Sequence, residues 1–541
     1  MHASARPLVR HPALWVLVAL FAAEFFIFDQ FGSRRFTGVY PRWNDQIQYL
    51  GEAYTGYEHA RTHGLAAGLW HTLVNPSAQG TLHDFFATLV FALSGPSRSA
   101  ALALNLLALI AWQAALFFAL ARTTGSRALA LAAAALPLAL AGPWADIPGS
   151  AYDFRLDHLA MCALGVASAA AVLTKGFRAR AWSVAFGAAV GLALLTRFLT
   201  GTYFALIFAG ALAWIMAGDE RRRRTTNLVL AAGVAFVITA PLLWLNREWV
   251  WNYYWVGHYV GPESAIRSQG FGLGQSLAFI GSHLGERHLG VFFGALAGLG
   301  AIAFRIGRGH SPADVKAAAP LWAVGALFLA APGIVLTLHQ QKSEVVVGAL
   351  APGVIVLVAA AWHTLARAVP GHRPLRLVGA GVALAALTFF TQRQLRPVFN
   401  AATRAEFRQV TALADTIFRR SRAASLPESR VAVDHITDAL DAQVIRIICY
   451  ERHRVWLPFN MTLPTGIAEP TEAEVMARLA LSDFVFLTDE APEGSYPFDR
   501  KLAVLRPQVR AWCERHLRAA ERFTLFGRRM VLYQRREIPF P

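Results

Sequence analysis

Long apolar runs recur from Pro12 to Thr391, separated by short polar loops. About eleven are long enough, or nearly so, to cross some 30 Å of hydrocarbon. They are Pro12–Gly32, Ser99–Ala121, Arg127–Gly142, Asp157–Thr174, Ala181–Thr196, Gly201–Ala217, Thr225–Leu245, Leu289–Phe304, Ala318–Leu338, Val345–Trp362 and Leu377–Thr391. Within the long stretch Ser33 to Arg98, the patterns of Gln46–Ala60, Gly64–Leu73 and Leu82–Leu93 predict short interfacial helices. From about Asn400 the pattern changes. Ala402–Arg420 has the period of an amphipathic helix. Strand-like runs follow at Val431–Val433, Val455–Leu457, Phe484–Leu487 and Met530–Tyr533. Helical segments near Ala439–Glu451, Glu472–Leu481 and Arg500–Leu517 alternate with them, and Thr471 with Glu474 fits a capping box. Such alternation predicts a small α/β domain.

Composition agrees with a membrane protein. Of 541 residues, 55% are hydrophobic and only 16% charged, against about 25% in soluble domains. The first apolar run exceeds a signal-peptide core and is followed by Ser33-Arg34-Arg35 without a small-residue cleavage site, so it reads as a retained helix. A net charge of +17 on a soluble chain would suggest nucleic acid. Here the basic residues mark loops: Arg6 and Arg10, Arg122 and Arg127, Lys175 to Arg180, Arg221 to Arg224, Arg305 to Lys316, and Arg367 to Arg376. Every second loop is basic, which places these and the N-terminus in the cytoplasm and close to anionic lipid headgroups. The long loop 33–98, the loop before Asp157, the aromatic stretch Asn246–His288 and His339–Glu344 then face outward, as does the C-terminal domain. The expected organisation is a transmembrane module over 1–398 and a soluble extracytoplasmic domain over 399–541. Cys162, Cys449 and Cys513 have no metal-ligand spacing; Cys449 and Cys513 could pair in an extracytoplasmic domain.

Several outer-side residues carry candidate chemistry. Asp45, in Trp43-Asn44-Asp45-Gln46-Ile47-Gln48-Tyr49, is either a general base toward an attacking hydroxyl or an N-cap of the helix that follows. Asp153 and Asp157, four apart, would share a helix face if the helix has begun. They could hold a divalent cation, Mg or Mn, against a phosphate oxygen; alternatively they cap the fourth span, with Arg155 paired to one. Lys342 and His339, and Arg197 further back, could bind a lipid-linked phosphate or snorkel to headgroups. The run Trp249, Trp251, Tyr253, Tyr254, Trp255 and Tyr259 suits a sugar-stacking wall or an interfacial anchor. His258, His283 and His288 lack metal-site spacing.

The order of these features resembles the GT-C glycosyltransferase superfamily, within it the bacterial protein-mannosyltransferase-like (family 39-like) and aminoarabinose-transferase-like enzymes. The resemblance covers the whole chain in architecture. It is carried locally by Asn44-Asp45-Gln46-Ile47-Gln48-Tyr49-Leu50, Gly95-Pro96-Ser97, Leu194-Leu195-Thr196-Arg197 and the His339–Glu344 loop followed by Pro352. Many relatives have Asp-Glu where this chain has Asp45-Gln46. The resemblance implies an α-helical polytopic enzyme in a bacterial cytoplasmic membrane, with a small extracytoplasmic α/β domain. It implies an inverting transfer of sugar from a polyprenyl-phosphate-linked donor to a lipid, glycan or protein acceptor. Asp45 matches the catalytic acidic residue, Asp153 and Asp157 loosely match a second acidic loop, and Lys342 matches a cation at the donor phosphate. A transporter or flippase of lipid-linked glycan, or an envelope-assembly subunit, are the competing classes; no internal repeat of the transporter kind is visible.

Overall fold

The computed structural model describes residues 12–41, 44–140, 149–261, 263–285, 312–368, 401–423, 430–433, 442–457, 459–461, 471–489 and 499–538. In chain order the helices are α1 (Pro12–Arg35), α2 (Asn44–His63), α3 (Leu65–Val74), α4 (Leu82–Ser94), α5 (Arg98–Thr124), α6 (Arg127–Ala135), α7 (Leu156–Leu173), α8 (Arg180–Thr196), α9 (Thr200–Met216) and α10 (Arg221–Leu245). A short helix α11 (Arg247–Val250) runs into a π-helix, Trp251–Val260. Then come α12 (Glu263–Arg267), α13 (Leu273–Ser282), α14 (Pro312–Leu338) and, after a 3₁₀ stretch at Glu344–Leu350, α15 (Ala351–Ala368). The C-terminal part holds α16 (Ala401–Ala423), β1 (Val431–Val433), α17 (Ala442–His453), β2 (Phe459–Met461), α18 (Glu472–Ala480), β3 (Phe484–Thr488), α19 (Asp499–His516), β4 (Leu517–Leu525) and β5 (Arg528–Arg535).

Among the described residues six helices are long and apolar enough to cross a membrane: α1, α5, α7, α10, α14, and Glu344–Thr364. Shorter apolar helices occupy Arg127–Ala139, Arg180–Thr196 and Thr200–Met216. Nine of the expected runs thus appear as helices, though the end of the third, beyond residue 140, is not described. Leu289–Phe304 and Leu377–Thr391 lie outside the described residues, as does most of the loop before Ser150. The protein is a multi-pass membrane protein.

The chain divides into two compact units. The first comprises residues 1–32, 69–90 and 102–396. Its helix pairs touch backbone to backbone at glycine. A Cβ on Gly187 of α8 would lie 2.3 Å from the Ala231 carbonyl of α10, and one on Gly353 of α15 would lie 2.4 Å from the Leu329 amide of α14. Lipid supplies no hydrophobic drive between apolar helices, so such close approach is what holds them. A polar pair adds to it: Gln113 Nε2 of α5 donates to Glu24 Oε1 of α1 at 3.0 Å, both side chains fully buried.

The second unit comprises residues 33–68, 91–101 and 397–541. The stretch that follows α1 therefore packs with the C-terminal chain. α2 buries Ile47, Leu50, Ala53 and Tyr54, the three-to-four spacing of one apolar helix face. α17 is buried almost throughout, from Val444 to Tyr450. Between them the phenols of Tyr40 and Tyr54 both donate to the Glu451 carboxylate, and the Tyr450 hydroxyl donates to Glu58 at 2.5 Å. Burial raises the Glu451 carboxyl above its usual range, against the two phenol bonds and Arg454, which favour the charged form.

The sheet order is β2-β1-β3-β5-β4, with β1 parallel to β2 and β3, and β5 antiparallel to β3 and β4. The capping box at Thr471 and Glu474 forms as expected. Two strand expectations are corrected. Val455–Leu457 is not a strand; the pairing residues are Phe459–Met461. β4 was not expected at all, because it is an edge strand whose Arg-Ala-Ala-Glu-Arg segment carries a bulge between Ala519 and Glu521. A charged, bulged edge gives no clean alternation. The β4–β5 turn puts Phe526 and Gly527 at φ 52° and 74°, the two left-handed positions of a tight hairpin. Cys449 and Cys513 are both buried and free rather than paired; Cys513 packs in the sheet core with Val485 and Val509.

Glu451→Ala should leave two buried phenols without an acceptor, each costing roughly 1–3 kcal/mol. The expected result is a lower thermal midpoint and faster proteolysis within residues 33–68, both largely restored in Glu451→Gln.

Candidate active site

Asp45 lies in the first turn of α2, in the second unit. The helix begins at Asn44, so Asp45 is inside it rather than ahead of it as its N-cap. Its carboxylate still meets the positive end of the helix dipole. The side chain is exposed, on the face opposite Ile47 and Leu50. Gln48 and Glu52 share that polar face, bonded to each other at 3.0 Å.

In the first unit the second acidic segment is a buried loop clamped from several sides. Asn105 Nδ2 donates to the carbonyls of Ala151 and Asp153, both at 3.1 Å. Tyr152 stacks on Phe28 at 5.5 Å, and Phe154 lies 4.3 Å from the His83 ring. The helix starts at Leu156, so Asp153 precedes it and the two carboxylates do not share a helix face. Asp153 Oδ2 accepts from the Gly149 amide at 2.6 Å and from Arg155 Nε at 2.7 Å. Burial pushes its carboxyl up to about 7, while Arg155 and the Gly149 amide pull the other way. Asp157 pairs with Arg197 at 2.7 Å.

Arg197 is set by backbone pairing. It is the C-cap of α8, at φ −151° and ψ 112°. On either side of it the Thr81 amide donates to Leu195 O at 2.8 Å and the Phe198 amide to Gln79 O at 2.7 Å. Gly80 is required there, since a Cβ would sit 2.2 Å from the Thr196 carbonyl oxygen. Each carboxylate expected to share a divalent cation is thus matched to a guanidinium. No group of three or more His, Cys, Asp or Glu side chains among the described residues is placed to hold a metal.

The loop after α10 folds onto the His339–Glu344 loop. In the π-helix, where bonds run from i to i+5, His258 Nδ1 donates to the Tyr253 carbonyl at 2.6 Å. Gln341 Oε1 accepts from Arg267 Nη1 at 3.3 Å and lies 3.0 Å from His258 Nε2, so the neutral His258 ring, with one N–H, can donate to only one of the two oxygens it meets. Arg267 stands 5.3 Å from the centre of the Tyr253 ring. Gln269 is bonded to the Lys342 backbone both ways, at 2.7 and 2.9 Å. Lys342 is 7% exposed, and its ammonium donates to the carbonyls of Leu336, Thr337 and His339. It caps the C-terminus of α14, where a cation meets unsatisfied carbonyls. Burial lowers the His339 and Lys342 pKa values and takes His258 down to about 4, so both histidines are neutral near pH 7.

The structure therefore joins Asp157 to Arg197, and Lys342 to His339, within one unit. The participation of Gln341, Arg267 and Gln269 was not anticipated. Their contacts cross about seventy residues, and the only sequence sign was the polar character of both loops.

These features define a class: a polytopic membrane protein with the fold of the GT-C membrane glycosyltransferases. Two solved structures of ArnT from Cupriavidus metallidurans share the fold. The one bound to undecaprenyl phosphate aligns at TM-score 0.58 and 16% identity, over 98% of this chain and 100% of that one. The apo state aligns at 0.58 and 15%, over 96% and 98%. The arabinofuranosyltransferase AftD from Mycobacteria aligns at 0.49 and 13%, over 97% of this chain and 40% of that one. No family model and no curated protein matches the sequence.

Arg197→Ala should leave Asp157 buried without its partner and cost roughly 3–5 kcal/mol, much of it recovered in Arg197→Leu/Asp157→Leu. Thermal unfolding in detergent reads both. His258 titrates at a lower pH folded than unfolded. Its contribution to stability is therefore complete above pH about 6.5 and lost as pH falls toward about 4. Between pH 7 and 5 the thermal midpoint should drop more for the parent than for His258→Gln.

Proposed function

We propose that this protein is an inverting glycosyltransferase. It moves a sugar from a polyprenyl-phosphate-linked donor to a lipid, glycan or protein acceptor at the outer face of a bacterial cytoplasmic membrane. The observation that carries the reading is the alignment, over nearly the full length of both chains, with a transferase fold solved with undecaprenyl phosphate bound. Fold alone does not fix chemistry; exposed Asp45 and the cationic outer loops of the first unit supply the site-level support.

In this reading Asp45 orients the acceptor hydroxyl and takes its proton late in the transition state, when the departing sugar is oxocarbenium-like and the hydroxyl proton has become acidic. The leaving phosphate gains charge as the anomeric bond breaks, so a fixed positive environment lowers the barrier. Arg267, Lys342 and His339 form the outer-loop cluster proposed for this, with Arg197 behind. Arg267 is the better placed of the two loop cations. Lys342 would first have to release the α14 carbonyls. His339, neutral, would act as a hydrogen-bond donor. No step is assigned to a metal ion.

The purified protein in nanodiscs, given a panel of undecaprenyl-phosphate sugars and membrane-extract acceptors, should transfer sugar. Asp45→Asn should lower kcat by about 10²–10⁴-fold while leaving donor binding intact. Undiminished transfer in that variant would remove Asp45 from the mechanism. Donor movement between leaflets without any transfer would replace the enzyme reading with a flippase. Arg267→Ala should raise KM for donor with only a small drop in thermal midpoint, whereas Lys342→Ala should lower the midpoint more.

A further inference from the structure

At the end of the first unit that carries the basic loops, the N-termini of α8 and α10 lie side by side, with no side-chain cap on either. Between them runs a groove of about 920 Å³ lined by Arg180, Arg221, Arg222, Arg223, Thr226 and Leu230, together with Glu220. Four guanidinium groups against one carboxylate leave a net charge of +3 in the groove. The placement is electrostatically adverse as it stands. Free N–H groups already make a helix N-terminus positive, and three of these arginines occupy the first turn of α10. Glu220 offsets only one of them, and it is shared between Arg178 at 2.8 Å and Arg223 at 3.2 Å. Arg180 and Arg222 make no ion pair among the described residues, and both are exposed. Arg224, 2% exposed, is turned away from the groove and donates to the Gly176 and Asp219 carbonyls. Two helix N-termini and a set of uncompensated arginines form an anion site.

The wall of the groove tells which anion. Leu230 lines it, and along the same helix Val229, Phe236 and Val237 are 63%, 70% and 72% exposed. Those residues belong to a membrane-spanning helix, so this exposed apolar flank is a lipid-facing one. It continues from the arginines toward the membrane core. We infer that this groove binds the phosphate headgroup of an anionic membrane lipid, with the headgroup on Arg180, Arg221 and Arg222 and an acyl chain along α10. A net +3 favours a phosphate monoester over a singly charged phosphodiester. The site is separate from the proposed sugar-transfer residues and does not depend on that reading.

The test uses the full-length protein in detergent, examined by native mass spectrometry and thermal shift with added phosphatidic acid, phosphatidylglycerol, phosphatidylcholine or inorganic phosphate. Phosphatidic acid should be retained most strongly, phosphatidylglycerol less and phosphatidylcholine least. Arg180→Gln/Arg222→Gln should lower phosphatidic acid affinity about tenfold, and Arg180→Lys/Arg222→Lys should recover most of it. These side chains are exposed, so an unchanged thermal midpoint without lipid confirms that the variants fold. Equal retention of all lipids, or equal affinity in parent and Gln variant, overturns the site. Inorganic phosphate that stabilises as well as phosphatidic acid overturns the lipid assignment in favour of a soluble anion.

Discussion

Charge taken out of water must find opposite charge or polar backbone nearby, and the described structure is organised around meeting that demand. Desolvating an ion costs several kcal/mol, recovered only when its partners are close and correctly aimed. Asp157 is held by Arg197 and Asp153 by Arg155 and the Gly149 amide. Lys342 is held by three carbonyls at the end of α14. These contacts fix the loops of the first unit together with burial of their aromatic residues, Tyr152 and Phe154 among them.

The same demand assembles the second unit from distant pieces of chain. Glu451 accepts from Tyr40 and Tyr54, and Tyr450 donates to Glu58, across separations of roughly four hundred residues. The helix carrying Asp45 is thereby fastened to the C-terminal domain, and the rings of Tyr54, Phe91, Tyr450 and Trp456 pack around the bonds. A residue offered as a catalytic base stands on a helix whose buried face is held by the C-terminal chain of the same unit. That gives this part of the chain a mechanical role in the proposed chemistry.

Much of the fold could be read from the chain because hydrocarbon length and helical rise leave little freedom. The ends of α2, α4, α5, α7, α8 and α10 fall within a few residues of the apolar boundaries. The capping box at Thr471 worked for a similar reason: it is a local hydrogen-bond pattern complete within four residues. Strands were harder. β2 begins two residues beyond the expected run, and β4 has no alternation, since an edge strand is defined by its neighbour β5 more than by its own pattern. Glu24 and Gln113, the buried polar pair within the spans, carry no sign in the sequence, because each is an isolated polar residue until α1 and α5 come together.

Candidate residues were legible by type but not by partner. The sequence by itself determined which segments are apolar, which loops are basic and which carboxylates and cations sit between spans. These follow from composition and short-range periodicity. Only the tertiary structure decided that Arg155 and Arg197 each take a carboxylate, that Lys342 turns inward to cap α14, that Gln341 gathers His258 and Arg267, and that the arginines of α8 and α10 share one groove. Each depends on residues tens to hundreds of positions apart, and an electrostatic interaction is set by distance in space, which no local pattern encodes.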